Sequence, residues 1–233
     1  MTEVFDFDRE IDRSNSNSAK WEKYRNRDIL PMWVADTDFA VAPDIQQALH
    51  KRADHPVFGY TETPAHLVEL LVARMQHLYD WKVDPEWLVP LPGIVGALYL
   101  ACRANGKAGD PVYLPSIIYP PFAKAPGFNA MTNQPIPMSL LDQRMMVDMD
   151  WLEQQPGRPG QLLLFCNPQN PGGTVYQKQE LQRLADIVEQ QDLILVSDEI
   201  HCDLILDRDK AHIPIGSLNP QIEQRSITLM APS

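Results

Sequence analysis

The chain has 233 residues, of which 44% are hydrophobic and 22% are charged, so it is long enough and apolar enough to bury a large core. The formal net charge of -11 repels phosphate backbones and anionic lipids, which makes nucleic acid and membranes poor partners. The longest apolar stretches, such as residues 162–166, are far too short to span a bilayer. Three widely spaced cysteines without a CxxC pair favour a reducing, cytoplasmic location: Cys102, Cys166 and Cys202.

The hydrophobic pattern predicts helices and strands in chain order. Residues 1–45 lack regular periodicity, and apolar spacing then predicts helices over residues 43–55 and 64–79. Further on, short apolar runs predict strands over residues 87–91, 111–114, 162–166, 193–197 and 226–230. Between them lie predicted helices over residues 93–105, 122–128 and 177–191. This alternation predicts an α/β domain with a mostly parallel sheet, in which ligands bind beyond the carboxyl ends of the strands.

Three segments beside predicted strand ends contain candidate ligand-binding groups. PGIVG at residues 92–96 leads into a helix, whose free N–H groups can bind an anion, although an ordinary loop-to-helix turn has the same pattern. NPQNPGG at residues 167–173 is either an ordinary turn or a source of carboxamides that donate and accept hydrogen bonds. In SDEIH at residues 197–201, Asp198 ends a buried strand and needs a partner. That partner is a helix N-terminus, a structural ion pair or a cationic ligand atom.

Together these motifs resemble the fold-type I enzymes that use pyridoxal 5′-phosphate (PLP), specifically the aminotransferase class I and II family. The resemblance covers nearly the whole chain and rests on NPQNPGG, on SDEI and on APS at residues 231–233. It implies the aspartate aminotransferase fold, a three-layer α/β/α domain with a mostly parallel central sheet, plus the N-terminal part of a small domain. Residues 1–45 would belong to that small domain and residues 46–233 to an incomplete large PLP-binding domain, with the C-terminal small domain outside the chain.

One further segment is similar to a single branch of the family. MWVADTDF at residues 32–39 is similar to the corresponding segment of the MalY/PatB branch, and DEIH at 198–201 and HIP at 212–214 agree with it. Thr37 stands where that branch usually has methionine. The resemblance implies a carbon–sulfur β-lyase that cleaves cystathionine or cysteine S-conjugates to a thiol, pyruvate and ammonia. An aminotransferase is the alternative on the same scaffold, and a regulatory protein acting by protein–protein contact is the alternative of another class.

The resemblance also implies roles at the PLP ring. Asp198 would pair with the protonated pyridine nitrogen, and Tyr119 would stack on the ring, which makes these two residues the catalytic candidates; a core tyrosine is the alternative for Tyr119. Asn170 would donate to the phenolate oxygen of PLP, and His201 would lie near that oxygen, where many aminotransferases have a tyrosine. A metal site at His201 and Cys202 is disfavoured because no other ligands have suitable spacing, so no metal is expected.

The phosphate and substrate groups are implied in the same way. Val95 and Gly96 would offer backbone N–H groups to the phosphate. Tyr60 resembles the tyrosine that reaches the phosphate of a neighbouring subunit, which implies a homodimer with shared active sites; an exposed loop aromatic is the alternative. Ala35 and Asn170 would approach the amino-acid substrate.

The lysine that binds PLP covalently is expected immediately after Ser233. The arginine that binds the substrate carboxylate is expected later still. The resemblance therefore implies a chain that is truncated or split at the PLP lysine.

Overall fold

The computed structural model describes residues 5–232, which divide into two compact units between Glu62 and Thr63. The first unit contains the short helix α1 (Ala19–Glu22) and helix α2 (Pro43–Ala53), which confirms the helix predicted over residues 43–55. The division comes later in the chain than the expected domain boundary after residue 45, which stays a prediction.

A polar cluster joins distant parts of the first unit. The carboxylate of Asp38 accepts hydrogen bonds from Lys20 Nζ at 2.7 Å, Arg13 Nη1 at 2.7 Å and Trp21 Nε1 at 2.9 Å. These donors, with Lys20 the strongest, hold the pKa of Asp38 well below its ordinary value. Asp36 contributes a second ion pair to Arg13, at 2.8 Å. Few apolar side chains of this unit are buried, and these charge-assisted hydrogen bonds connect residues 13–21 to residues 36–38.

The second unit alternates helices and strands. Its helices are α3 (Ala65–Tyr79), α4 (Ile94–Asn105), α5 (Pro120–Phe128), α6 (Met149–Glu153), α7 (Lys178–Gln190) and α8 (Pro220–Glu223). Its strands are β1 (Pro111–Pro115), β2 (Thr132–Ile136), β3 (Met138–Leu141), β4 (Arg144–Val147), β5 (Leu162–Cys166), β6 (Ile194–Asp198) and β7 (Ser226–Leu229). Two 3₁₀ turns occupy Pro85–Trp87 and Ile215–Ser217. No helix in the part of the chain that the structure describes is long and apolar enough to cross a membrane.

Five strands form one fully parallel sheet in the order β2-β1-β5-β6-β7. The register runs from Leu162 opposite Ile194 to Cys166 opposite Asp198, so β5 and β6 end at the same level. Strands β3 and β4 form a separate antiparallel hairpin. Because parallel strands place all their carboxyl ends at one edge, the polar residues that follow β5 and β6 lie side by side.

Alternate residues of the central strands enter two separate cores. Leu163, Phe165 and Leu195 pack with the apolar face of α7, whereas Leu164 and Val196 pack with α4. Side chains along a strand alternate between its two faces, so the sheet is covered on both sides by helices. This confirms the predicted three-layer α/β/α architecture and its mostly parallel sheet.

The strand predicted over residues 87–91 is wrong. The segment begins in the 3₁₀ turn Pro85–Trp87 and continues without regular structure. Trp87, Val89 and Leu91 are 50%, 72% and 41% exposed, and no described strand pairs with the segment. An apolar run becomes a strand only when a neighbour satisfies its backbone groups, which the local sequence does not specify.

Candidate functional site

The carboxyl ends of three adjacent strands are tied together by backbone hydrogen bonds. The N–H of Asn167, just after β5, donates to the carbonyl of Asp198 at 3.0 Å. The N–H of Glu199, just after β6, donates to the carbonyl of Leu229 in β7 at 2.8 Å. The loops that leave β5, β6 and β7 are therefore held at one edge of the sheet, where the sequence predicted a ligand site.

Asp198 is a buried carboxylate whose described partner is a backbone group. The residue is 4% exposed, and its Oδ1 accepts a hydrogen bond from the N–H of Ile200 at 3.1 Å. The pKa of Asp198 is raised to about 6, chiefly by burial; the hydrogen bond from Ile200 lowers it, and the negative charge of Glu199 adds a smaller rise. Among the described residues no basic side chain pairs with Asp198, so the structural ion pair is not the explanation of this carboxylate. A cationic ligand atom would satisfy it.

The loop after β5 places Asn170 beside Tyr119. The carbonyl of Asn170 accepts a hydrogen bond from the N–H of Tyr119 at 3.1 Å, which joins this loop to the start of α5. Both Asn-Pro peptide bonds of the loop are cis: Asn167–Pro168 and Asn170–Pro171. The two residues that the resemblance assigns to one ring are thus brought together although they are 51 positions apart in the sequence.

Gln169 fixes this loop from within, although the sequence motifs did not identify it as a site residue. Its side chain is buried, donates to the carbonyl of Ile117 at 2.8 Å and accepts from the N–H of Gly172 at 2.5 Å. Added methyl groups have no room here, because a Cβ on Gly172 would lie 2.5 Å from Gln169 Oε1. The sequence feature that could have identified Gln169 is its position as a polar residue between two Asn-Pro units.

Tyr119 is the residue before α5 and is 43% exposed. A ring that is partly open to solvent does not fill the core, so the core-tyrosine alternative is wrong. The exposed part of the ring remains available for stacking against a planar ligand.

The N-terminus of α4 is open. Gly93 precedes the helix, and no side chain caps it, so the first N–H groups, including those of Val95 and Gly96, lack a side-chain acceptor. A Cβ added at Gly93 or at Gly96 would meet nothing within 4 Å, which shows free space around this turn. Since α4 packs against β6 and β7, this uncapped terminus, which could bind an anion, belongs to the same side of the sheet as Val196.

His201 lies half-buried in the turn after β6, and burial lowers its pKa, so the imidazole is neutral near pH 7. The described residues contain no group of three or more potential ligands arranged for a metal ion. Two further buried polar residues of this region were missed by the sequence analysis as site residues, namely Glu199 and His212, which bond to each other. In the sequence, these two residues were noted only as members of the DEIH and HIP segments.

The remaining candidates belong to the first unit or lie outside the described residues. Ala35 and Tyr60 are both exposed in the first unit, and Tyr60 is fully so. Ser233 lies outside the described residues, so its position and the expected lysine after it stay predictions.

The second unit fits PLP by the chemistry of its groups. A buried carboxylate that pairs with no basic side chain among residues 5–232 suits a protonated ring nitrogen, and an uncapped helix N-terminus suits a phosphate. The half-exposed ring of Tyr119 suits stacking on the ring of PLP. The loop of Asn170, which accepts a hydrogen bond from the N–H of Tyr119, supplies a carboxamide that suits an oxygen of that ring.

Comparison with known proteins agrees with this description. Residues 27–229 match the family model for aminotransferase class I and II. The cystathionine β-lyase PatB of Bacillus subtilis (strain 168) is 35% identical over 232 residues, which are 97% of this chain and 60% of PatB.

Two solved structures are also similar. A crystal structure of OvoB is 45% identical with a TM-score of 0.91, covering 98% of this chain and 60% of that one. Cystalysin from Treponema denticola, whose crystal structure contains PLP, is 32% identical with a TM-score of 0.92, covering 99% and 60%. The chain spans about three fifths of the length of these relatives. Its fold, its match over residues 27–229 and the residues at its strand ends show that the chain belongs to the aminotransferase class I and II family.

Proposed function

We propose that the protein binds PLP and acts as a carbon–sulfur β-lyase on cystathionine or cysteine S-conjugates, releasing a thiol, pyruvate and ammonia. The observation that carries the proposal is Asp198, buried at the carboxyl edge of the sheet without a cationic side chain and adjacent to the loop of Asn170. The name of PatB, a cystathionine β-lyase, supports the choice of reaction. The similarity to cystalysin, whose crystal structure contains PLP, supports the choice of cofactor.

When bound, PLP supplies an electron sink for negative charge at the substrate Cα. Asp198 would hold a proton on the ring nitrogen, because its ionised form is costly at a buried position until a positive charge lies beside it. Asn170 would donate its amide to the phenolate oxygen, and Tyr119 would cover one face of the ring and exclude water from it. The N–H groups of Val95 and Gly96 would bind the phosphate.

The proposal also covers the assembly of the protein, its substrate contacts and its location. Tyr60 is fully exposed, which supports a role in which it reaches the phosphate site of a second subunit in a homodimer. Ala35, also exposed, would approach the substrate together with Asn170, and His201 would lie near the phenolate oxygen. Three buried free cysteines support a reducing, cytoplasmic location.

The test uses the protein expressed from its complete reading frame and loaded with PLP. Cystathionine is supplied without a keto acid, and pyruvate and free thiol are measured; equal amounts of both are expected. Turnover only after a keto acid is added would replace the lyase by an aminotransferase. If PLP is bound and neither condition gives turnover, the enzyme proposal fails and a regulatory role gains support.

A matched pair of variants tests the role of Asp198. Asp198→Asn removes the charge that would face the ring nitrogen and is expected to lower kcat by at least about a hundredfold, as for other buried charge partners in active sites. Asp203→Asn removes an exposed carboxylate five residues later, which pairs with Arg74, and should keep nearly full activity. Equal losses in the two variants would contradict the assignment.

A further inference from the structure

Glu199, the residue after Asp198, is a fully buried carboxylate surrounded by three hydrogen-bond donors. The hydroxyl of Ser197 donates to Oε1 at 2.8 Å, and the N–H of Ile215 donates to the same oxygen at 3.1 Å. Nε2 of His212 lies 2.6 Å from Oε2 and donates to it. A buried carboxylate is stable only when it is hydrogen-bonded or paired, so these donors fix its side chain in one conformation.

His212 turns towards Glu199 rather than towards solvent. Its side chain is 1% exposed, and its ring packs against Tyr79 in a T-shaped arrangement, with 5.7 Å between ring centroids. Nδ1 has no hydrogen-bond partner among the described residues. The polar interaction of this ring is therefore directed to Glu199, thirteen positions earlier in the chain.

The pair and Asp198 lie on opposite faces of the sheet. Val196 belongs to the α4 core, and side chains alternate along the strand, so Asp198 projects to that face. Glu199 bonds to Ser197 and to Ile215, which lies in the α7 core, and so it projects to the other face. Its N–H donates to Leu229, and its carbonyl accepts from Cys202 at 2.9 Å. Both the side chain and the backbone of Glu199 are fixed, which restrains the peptide that carries Asp198.

We propose that Glu199 and His212 form a positioning pair that holds the Asp198 carboxylate in the orientation required by the ring nitrogen of the cofactor. The inference rests on the proposed function for the identity of that ligand. The pair itself touches neither ligand nor substrate, because it lies across the sheet from them. It acts through one peptide unit, since the end of β6 cannot rotate while Glu199 is held by Ser197, Ile215 and His212.

A pair that merely stabilises the fold would behave differently. It would lower the free energy of unfolding when broken, yet it would change ligand affinity by the same factor whether or not Asp198 is present. A positioning pair affects affinity only through Asp198. The two roles therefore differ in additivity, which a double-mutant cycle measures directly.

The experiment measures the dissociation constant for pyridoxamine 5′-phosphate, which binds without a covalent bond, by calorimetry. Four proteins are compared: the unsubstituted protein, Asp198→Asn, Glu199→Gln and the double variant. Loss of a hydrogen bond to a charged group corresponds to roughly 10- to 100-fold in affinity. We expect Asp198→Asn to weaken binding by about thirtyfold and Glu199→Gln by about tenfold. In the Asp198→Asn background, Glu199→Gln should change binding by less than about twofold.

A conservative rescue supplies the second readout. Glu199→Gln places an amide against the Nε2 donor of His212, whereas adding His212→Gln restores a neutral amide pair of similar reach. The combined variant Glu199→Gln/His212→Gln should therefore recover affinity to within about threefold of the unsubstituted protein. Equal weakening by Glu199→Gln in both Asp198 backgrounds, or no recovery in the combined variant, overturns the inference.

Failure of the proposed function gives a different result. If Asp198→Asn leaves the affinity unchanged, then Asp198 does not bind the ring nitrogen. The proposed function then fails, independently of the role of the Glu199–His212 pair. Unfolding by urea is followed for every variant. If Glu199→Gln does not fold, Ser197→Ala takes its place, since it removes one donor and leaves the Glu199–His212 pair. It should weaken binding about threefold with Asp198 present and not without it; an unchanged affinity overturns the inference.

Discussion

The N–H of Asn167 donates to the carbonyl of Asp198 at 3.0 Å, and this single bond joins the two loops that carry the polar motifs. Cys166 and Asp198 are opposite each other in the register, so Asn167 continues the ladder by one residue. The carboxamide loop and the buried carboxylate therefore leave the sheet at the same level. A one-residue slip between β5 and β6 would turn Asp198 to the other face, because side chains alternate.

The protonation of Asp198 predicts a pH dependence of stability. Its pKa is raised from 3.8 to about 6, so the folded protein binds this proton more tightly than the unfolded chain does. The stabilising contribution is full below pH 4 and is lost as the pH rises through about 6, with a total of at most about 3 kcal/mol. Urea unfolding without cofactor from pH 4 to 8 should show this loss relative to Asp198→Asn. Parallel curves for the two proteins would contradict the raised pKa.

Gln169 should be a strong contributor to stability. Gln169→Ala removes the two hydrogen bonds that the buried Gln169 side chain makes to the carbonyl of Ile117 and to the N–H of Gly172. Each hydrogen bond contributes about 0.5–1.5 kcal/mol net, so we expect a loss of about 1–3 kcal/mol in the free energy of unfolding. Gln182→Ala is the matched control, because its amide only contacts Asp186 on the exposed face of α7. That control should lie within about 0.5 kcal/mol of the unsubstituted protein.

Helix α4 offers a matched pair of leucines that tests its packing. Leu98 is fully buried against the sheet, whereas Leu100, two residues later, is 48% exposed. Leu98→Ala leaves a cavity and should cost about 2–5 kcal/mol, while Leu100→Ala should cost less than about 1 kcal/mol. Chemical denaturation of both variants measures the difference. Similar losses would mean that α4 does not cover the sheet as described.

Arg144 links the β3–β4 hairpin to α7. Its guanidinium donates to both carboxylate oxygens of Glu180, at 2.6 and 2.9 Å, and to the carbonyl of Val175 at 2.7 Å. The hydrogen bonds to Glu180 raise the pKa of Arg144, and the pair is only partly exposed. Arg144→Met should lower the free energy of unfolding by about 1.5–3 kcal/mol, because Glu180 loses hydrogen bonds from a charged group.

Arg183 is the control for this prediction. It pairs with Glu153 and Asp150 on a more exposed part of the surface, where ion pairs contribute about 0–1 kcal/mol. Arg183→Met should therefore lower the free energy of unfolding less than Arg144→Met does. Addition of 0.5 M salt should reduce the effect of Arg183→Met more strongly, because exposed pairs are screened. The reverse order of the two losses would contradict the described burial.

Much of the second unit was predictable because its elements carry strong local patterns. The continuous apolar run of residues 162–166 is β5 without any shift of boundary, and α7 follows its apolar stripe to within one residue at each end. Asp198 stood out in the sequence because it ends a buried strand, whereas the roles of Asn170 and Tyr119 rest on the resemblance and stay predictions. The hairpin β3–β4 was missed, since β3 is largely exposed and neither strand shows a strict alternation of buried and exposed side chains.

The sequence by itself determined the α/β architecture, the buried strands and the polar residues that end them, because hydrophobic periodicity and turn residues act over a few positions. Only the tertiary structure decided which of these residues meet. It joined Tyr119 to Asn170, placed Gln169 inside the loop and left residues 87–91 without a strand partner. It also buried Glu199 against His212, across the sheet from Asp198. Such contacts depend on register and on the packing of distant segments, which no local pattern specifies.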